Sequence, residues 1–439
     1  MSSTSRVLVV DDSAFMRQII CDLIAEDSQF TIIATANNGR EAIEAVRLHK
    51  PDVITMDLEM PEMNGLDALE RIMRMHPVPI IMMSSISDDG TRETIKALQN
   101  GAFDFIRKPS GPLSPDIRQV GEQLLEKLRI AILTKRYSRL YELEQPAAEN
   151  SAKPKGLAPV VIEPPKHAPA KQRPSASGLS GRKAKAEPAN PPSEKRKKQQ
   201  DEVSVSQVSL SPKIEAAQQL ETAKQQAAPS FEADLPVQSK HKPKPAKTFQ
   251  HLVAIGTSTG GPRALHEVIT SLPADFPAPV LVVQHMPPKF TRSLAQRLDT
   301  FSKLRVTEAE HGERVYAGVV YIAPGGYHLE LARDSGGYCI KLTEEAPRSG
   351  HRPSVDTMFE SCAAFPELRR HAVIMTGMGN DGVKGMRKLN ECGGETAIAE
   401  AEETCVVYGM PRSAVEAGVA TEVLPLKAIA PALAAAVRK

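Results

Sequence analysis

Apolar residues in this chain fall into short continuous runs, and polar residues gather where each run ends. Val7-Leu8-Val9-Val10 leads into Asp11-Asp12, and Phe15, Ile19, Ile20, Leu23 and Ile24 follow at helical spacing. Residues 30–34, 53–56, 80–83 and 103–106 form further runs, with a helical pattern from Gly39 to Leu48. Continuous apolar runs of this length predict strands buried on both faces. Their alternation with helices predicts a doubly wound, five-stranded parallel sheet over about residues 4–125. Working residues of such sheets sit just past the carboxyl ends of the strands, and Asp11, Asp12, Asp57, Ser84 and Lys108 all stand there. Three carboxylates meeting in one crevice repel each other and call for a hard cation such as Mg²⁺. The lysine and the hydroxyl suit the oxygens of an incoming phosphoryl group.

The pattern then changes. Helical periodicity continues from Gly121 to Leu143, but Gln145 to Lys247 is rich in Pro, Ala, Lys, Gln and Ser, with Phe231 its only aromatic residue. Such a stretch cannot bury enough apolar area to offset its ordering entropy. Residues 126–247 therefore read as a helical extension followed by a disordered linker. The basic run Glu194-Lys195-Arg196-Lys197-Lys198 reads as a solvated charge run. Residues 214–228 lack proline, favour helix and carry the pairs Gln218-Gln219 and Gln225-Gln226. The pairs partly resemble the modified sites of chemotaxis receptors.

From residue 248 onward strand-like runs return. Leu252-Val253-Ala254-Ile255 opens into Gly256-Thr257-Ser258-Thr259-Gly260-Gly261-Pro262, and Leu265, Val268, Ile269 and Leu272 follow at helical spacing. This fits a strand, a tight glycine turn and a helix, with Ser258 at the corner. The turn fits a G-x-S-x-G nucleophile elbow; a phosphate-cradling loop or a plain turn fits the same residues. Residues 280–284 end at His285, residues 319–323 form another run, and residues 372–376 lead into Gly377-Met378-Gly379-Asn380-Asp381-Gly382. Asp334-Ser335-Gly336-Gly337 between residues 329–333 and 338–342 is a hairpin signal. The expected fold for residues 248–439 is an α/β domain with a mainly parallel sheet and one antiparallel hairpin. Its strand ends offer Ser258, His285 and Asp381, which are a nucleophile, a base and a carboxylate to orient the base. Their chain order, Ser-His-Asp, differs from that of α/β-hydrolases. His311, His328 and His351 are read as structural or solvated.

Composition narrows the field little. The 439 residues suggest two or three domains, and a net charge of +2 gives no global pull toward nucleic acid. No apolar run approaches a membrane span. Asp11 and Asp12 interrupt the run that a signal peptide would need. The five cysteines show no C-x-x-C spacing, as expected of reduced thiols in a cytoplasmic protein. Cys21 and Cys362 read as core residues.

Two resemblances sharpen this. The first segment resembles a response-regulator receiver domain through Asp11-Asp12, Asp57 in Met56-Asp57-Leu58-Glu59-Met60-Pro61, Gly65, Ser84 and Lys108-Pro109. The resemblance implies that Asp57 accepts a phosphoryl group from a chemotaxis histidine kinase. It also implies that Asp11, Asp12, Asp57 and the Glu59 carbonyl bind Mg²⁺, and that Ser84 and Lys108 contact the phosphoryl group. Phe105 takes the place of the aromatic switch residue, without the hydroxyl of a tyrosine. The last segment resembles the protein-glutamate methylesterase domain of the CheB family. The matching motifs are Gly256 to Gly261, Gln284-His285-Met286-Pro287, Ala323-Pro324-Gly325, His351-Arg352-Pro353-Ser354-Val355-Asp356, Thr376 to Gly382 and Tyr408-Gly409-Met410-Pro411. This implies a Ser258–His285–Asp381 triad, an oxyanion held by backbone N–H groups including that of Met378, and Thr259 at the border of the site. The substrates implied are glutamyl methyl esters and glutamines of methyl-accepting chemotaxis receptors, with no cofactor for hydrolysis. A DNA-binding response regulator and a non-catalytic receptor adaptor are the competing classes.

Overall fold

The computed structural model describes residues 4–85, 87–108, 117–134 and 248–438. Pro109 of the Lys108-Pro109 motif, the extension beyond residue 134, the linker and its glutamine pairs lie outside the described residues.

The first sheet contains β1 (Ser5–Val10), β2 (Phe30–Ala36), β3 (Val53–Asp57), β4 (Ile80–Ser84) and β5 (Asp104–Arg107). All its pairs are parallel, in the order β2-β1-β3-β4-β5. Helices α1 (Ala14–Ala25), α2 (Gly39–His49), α3 (Gly65–Met75), α4 (Asp88–Gln99) and α5 (Ile117–Leu133) complete the α/β alternation. Side-chain caps start four of them, from Ser13, Asn38, Asn64 and Ser87, each satisfying amides that a helix start leaves unpaired. Strand order reverses between β1 and β3. That is the point where a doubly wound sheet opens a crevice at its carboxyl edge.

The second sheet has seven strands in the order β14-β13-β12-β6-β7-β9-β8, all parallel. They are β6 (His251–Thr257), β7 (Val280–Gln284), β8 (Arg305–Glu308), β9 (Val319–Ile322), β12 (Arg369–Ile374), β13 (Thr396–Glu400) and β14 (Glu422–Leu424). β10 (His328–Asp334) and β11 (Gly337–Thr343) form a separate antiparallel pair, as the hairpin signal predicts. The helices are α6 (Gly261–Ser271), α7 (Phe290–Phe301), α8 (Val355–Ala363), α9 (Val383–Glu391), α10 (Met410–Glu416) and α11 (Leu426–Ala436). From β6 the chain builds outward to β7 and β9 on one side and to β12, β13 and β14 on the other. The strand order thus reverses at β6. Leu252, Val253, Ala254 and Ile255 are essentially inaccessible, as a central strand covered on both faces requires.

The two sheets pack through the helices beside β5. α4 lies against α6 and α7. Thr91 and Ser293 share a hydroxyl hydrogen bond of 2.8 Å, and Arg297 Nε donates to Gln99 Oε1 at 2.9 Å. Among the described residues no helix is long and apolar enough to cross a membrane.

Candidate active site

The reversal at β6 brings three loop corners together. Ser258 follows β6, His285 follows β7, and Asp381 lies in the loop after β12. The register sets Thr257 beside Gln284 and Gly256 beside Ile374. Gln284 fastens the first two corners: its Nε2 donates to the carbonyls of Ser258 at 2.9 Å and of His285 at 3.1 Å, while its Oε1 accepts the Thr257 hydroxyl. Gly261 must be glycine here, because a Cβ would lie 1.9 Å from Gln284 Oε1. Gly377 meets the same limit, since its Cβ would stand 2.7 Å from that of Ser258.

His285 Nε2 and Asp381 Oδ2 are 2.8 Å apart, both side chains nearly inaccessible. Asp381 also accepts the amides of Val355 and Asp356 and the Ser354 hydroxyl, at 2.7, 3.0 and 2.9 Å. Burial pushes its carboxyl up, but the His285 hydrogen bond, the charge that ring carries when protonated and those amides outweigh it and hold the pKa at about 2. An ionised carboxylate only accepts, so Nε2 of a neutral His285 carries the proton and Nδ1 is left basic. Nδ1 is buried and has no hydrogen-bond partner. His351 stacks on the His285 ring, centroids 3.7 Å apart and nearly parallel. Burial and His285 lower its own pKa to about 4, so it stacks as a neutral ring.

The Ser258 corner is tied to the end of β12. Ser258 N–H donates to the Thr376 carbonyl at 3.0 Å, and the Thr376 hydroxyl donates to the Thr259 carbonyl at 2.9 Å. The Thr376 amide in turn donates to Glu400, a fully buried carboxylate at the end of β13. The Gly377 carbonyl accepts Met410 N–H at 2.7 Å. Because the peptide is planar, Met378 N–H points away from that contact.

A cavity of about 580 Å³ joins Ser258, Thr259, His285 and His351 on one wall to Asp104, Phe105 and Lys127 on the other. Thr259 Oγ1 donates to Asp104 Oδ2 at 2.7 Å, and Lys127 pairs with the same oxygen. The Phe105 ring, buried, packs on Phe290 at 4.5 Å. The first unit thus closes over the cleft of the second.

In the first unit, ligand atoms of Asp11, Asp12 and Asp57 lie within 4.8 Å of one another. Lys108 Nζ is 2.9 Å from Asp11 and 2.6 Å from Asp57, as ion pairs and not as well-directed hydrogen bonds. Burial raises the Asp57 pKa to about 6, against the pull of Lys108. Glu59 N–H donates to Asp57 Oδ1 at 3.3 Å. Ser84 is not bonded to Asp57. Its hydroxyl donates its one proton to the Ser85 carbonyl at 3.0 Å, with the Gly90 carbonyl 3.3 Å away, and accepts from Thr94 Oγ1 at 2.6 Å.

Sequence reading finds the three corner residues but assigns His351 to the structural or solvated class. It gives no role to Gln284, Ser354, Thr376 or Glu400. Their signal in the sequence is only that polar residues end buried runs. Cys362 is fully buried and Cys21 half-buried.

A receiver-like sheet with an acidic crevice, packed on an α/β hydrolase-like cleft, defines a two-domain hydrolase with a receiver as the class. Comparison with known proteins agrees. The receiver-domain family model matches residues 7–120, and the CheB methylesterase model matches residues 253–433. A protein-glutamate methylesterase/protein-glutamine glutaminase of Geobacillus kaustophilus is 43% identical over 98% of both chains. Its counterpart from Bacillus subtilis is 40% identical over 99% of both. The Thermotoga maritima CheB methylesterase catalytic domain is 49% identical, covers 43% of this chain and 99% of its own, and has a TM-score of 0.42. The chain belongs to the protein-glutamate methylesterase/protein-glutamine glutaminase family, with an N-terminal response-regulator receiver domain.

Proposed function

We propose that this protein hydrolyses glutamyl methyl esters, and deamidates glutamines, on methyl-accepting chemotaxis receptors, with Ser258, His285 and Asp381 as the catalytic triad. The observation that carries the reading is the buried His285–Asp381 pair, which leaves Nδ1 without a hydrogen-bond partner on a residue that lines the same cavity as Ser258. Nδ1 takes the Ser258 proton as Oγ attacks the ester carbon, and returns it to the departing methanol. Water, deprotonated by the same nitrogen, then releases the glutamate. With a glutamine the leaving group is ammonia. Asp381 holds the imidazole in one tautomer and stabilises its protonated form. Met378 N–H, turned away from residue 410, is the oxyanion donor that this peptide offers, a class of contact worth roughly 3–4 kcal/mol. Thr259 borders the cleft.

The receiver would be phosphorylated on Asp57 by a chemotaxis histidine kinase. The all-oxygen donors Asp11, Asp12 and Asp57, with the Glu59 carbonyl, suit Mg²⁺. When bound, that ion neutralises charge on the phosphoryl group. Lys108 and Ser84 contact the phosphoryl oxygens, and Phe105 couples the change to the domain interface. Lys108 follows directly on β5, which carries Asp104 and Phe105 into that interface. Phosphorylation therefore bears on the contact that closes the cleft.

The test is methanol release from methylated receptor membranes, with wild type and Ser258→Ala, each with and without acetyl phosphate. Release that requires Ser258 and rises with the phosphodonor is the expected result. Release without Ser258 would refute the triad, and release indifferent to phosphodonor would refute the switch. No release at all would favour a non-catalytic adaptor.

A further inference from the structure

We infer that Asp356 is a positioning residue that holds the catalytic carboxylate in place by capping the helix that follows it. The inference rests on the triad proposed above. Asp356 is inaccessible and is the second residue of α8. Its backbone amide, with that of Val355, binds Asp381. Its side chain reaches the other way: Oδ1 accepts Gly382 N–H at 3.0 Å and Gly385 N–H at 2.7 Å.

Those two amides belong to the start of α9. That helix has Gly382 at its N-cap, with φ +100°, and no side-chain cap of its own. A helix start leaves amides unpaired, and a carboxylate is their best partner. Each helix thus receives the carboxylate of the other: α8 binds Asp381, just before α9, and α9 binds Asp356, inside α8. The exchange is rigid because the helices touch at glycines. A Cβ on Gly385 would meet the Asp356 carbonyl at 2.7 Å, and one on Gly382 would meet Val355 at 2.8 Å. Gly382 is covalently next to Asp381, so the Gly382–Asp356 bond fixes the peptide from which the catalytic carboxylate hangs. Removing the acceptor frees that peptide and leaves a buried amide unpaired. Asp381 would then shift relative to His285.

What matters in this account is an acceptor oxygen at the right place. Asparagine supplies one; alanine does not. Receptor demethylation by the full chain with acetyl phosphate should therefore separate the variants. Asp356→Ala should lower kcat about a hundredfold, the size of effect a misplacement near 1 Å can have, with KM within twofold. Asp356→Asn should stay within about fivefold of wild type. Circular dichroism and thermal melts establish that each variant is folded at the assay temperature. If alanine fails to fold, Asp356→Ser, whose oxygen falls short of the amides, is read by the same kcat-against-KM division. A folded alanine or serine variant with wild-type kcat would overturn the inference, as would an asparagine variant as impaired as alanine. Ser258→Ala in the same assay tests the triad itself. Activity surviving there would overturn the underlying reading, whatever the Asp356 variants do.

Discussion

At the scale of single residues, the site depends on buried groups whose charge is set by their neighbours. Glu400 is the clearest case. Burial raises its carboxyl to about 7, only partly offset by the Thr376 amide and by Thr404 and Cys405. Because the folded pKa lies above the ordinary carboxylate value, this group favours the folded state at low pH. That contribution is complete below about pH 4.5 and is lost as pH rises through about 7, on the order of 3 kcal/mol in all. Glu400→Gln keeps an acceptor for Thr376 without the charge. Its urea midpoint, followed from pH 5 to 8, should fall less than that of wild type; parallel curves would show that Glu400 does not titrate in this range. His351 offers a second test at this scale. Its ring packs flat on His285 with a pKa near 4, so it contributes shape, not charge, at neutral pH. His351→Phe should retain most of kcat, and His351→Ala should lose at least tenfold in the methanol assay.

At the scale of elements, the Ser258 and His285 corners are held by backbone approaches that leave no room for side chains. Gly377→Ala would drive a methyl group into Ser258 Cβ. Its kcat should fall by two orders of magnitude or more while the far-UV spectrum is preserved. Wild-type turnover would mean that the corner can relax. The placement of these corners was readable from the sequence. Runs such as residues 252–255 and 280–283 announce buried parallel strands, and a polar residue at the end of each run marks the carboxyl edge. The sequence reading therefore placed Ser258, His285 and Asp381 at strand ends without knowing the strand order. It did not find what fastens them. Gln284, Ser354, Asp356, Thr376 and Glu400 act through partners that folding alone brings near: Ser354 reaches Asp381, and Glu400 reaches Thr376, across intervals that carry no periodic signal. Nor did it separate β8, β13 and β14 from the intervening chain. β8 and β14 are short edge strands, with mixed polarity and partial exposure.

At the scale of the whole molecule, the receiver sits on the cleft that Ser258 and His285 line. Asp104 takes the hydroxyl of Thr259, the residue next to Ser258, and Phe105 packs on Phe290. Replacing Asp104 by Ala removes this contact and the acceptor for Lys127. Basal receptor demethylation without phosphodonor should rise severalfold, and deletion of residues 1–145 should raise it further. If neither change increased the basal rate, covering of the cleft would not be the means of control. The salt dependence of the basal rate gives an independent check. The Lys127–Asp104 pair is partly accessible, so higher ionic strength should weaken it.

The Thr259–Asp104 contact also has a consequence that runs toward the phosphorylation site. If a receptor segment and the receiver compete for the same cleft, whatever occupies the cleft favours the separated form. Binding linkage is reciprocal. If phosphoryl-Asp57 loosens the domains, a bound receptor must stabilise the phosphorylated state by the same factor. Methylated receptors would then be effectors of the receiver as well as substrates of the hydrolase. Saturating a Ser258→Ala protein with receptor membranes should raise the affinity of its receiver for a phosphoryl analogue such as beryllium trifluoride, and an unchanged affinity would mean that the two events are not coupled. The active receiver would then be favoured most where there is most ester left to remove.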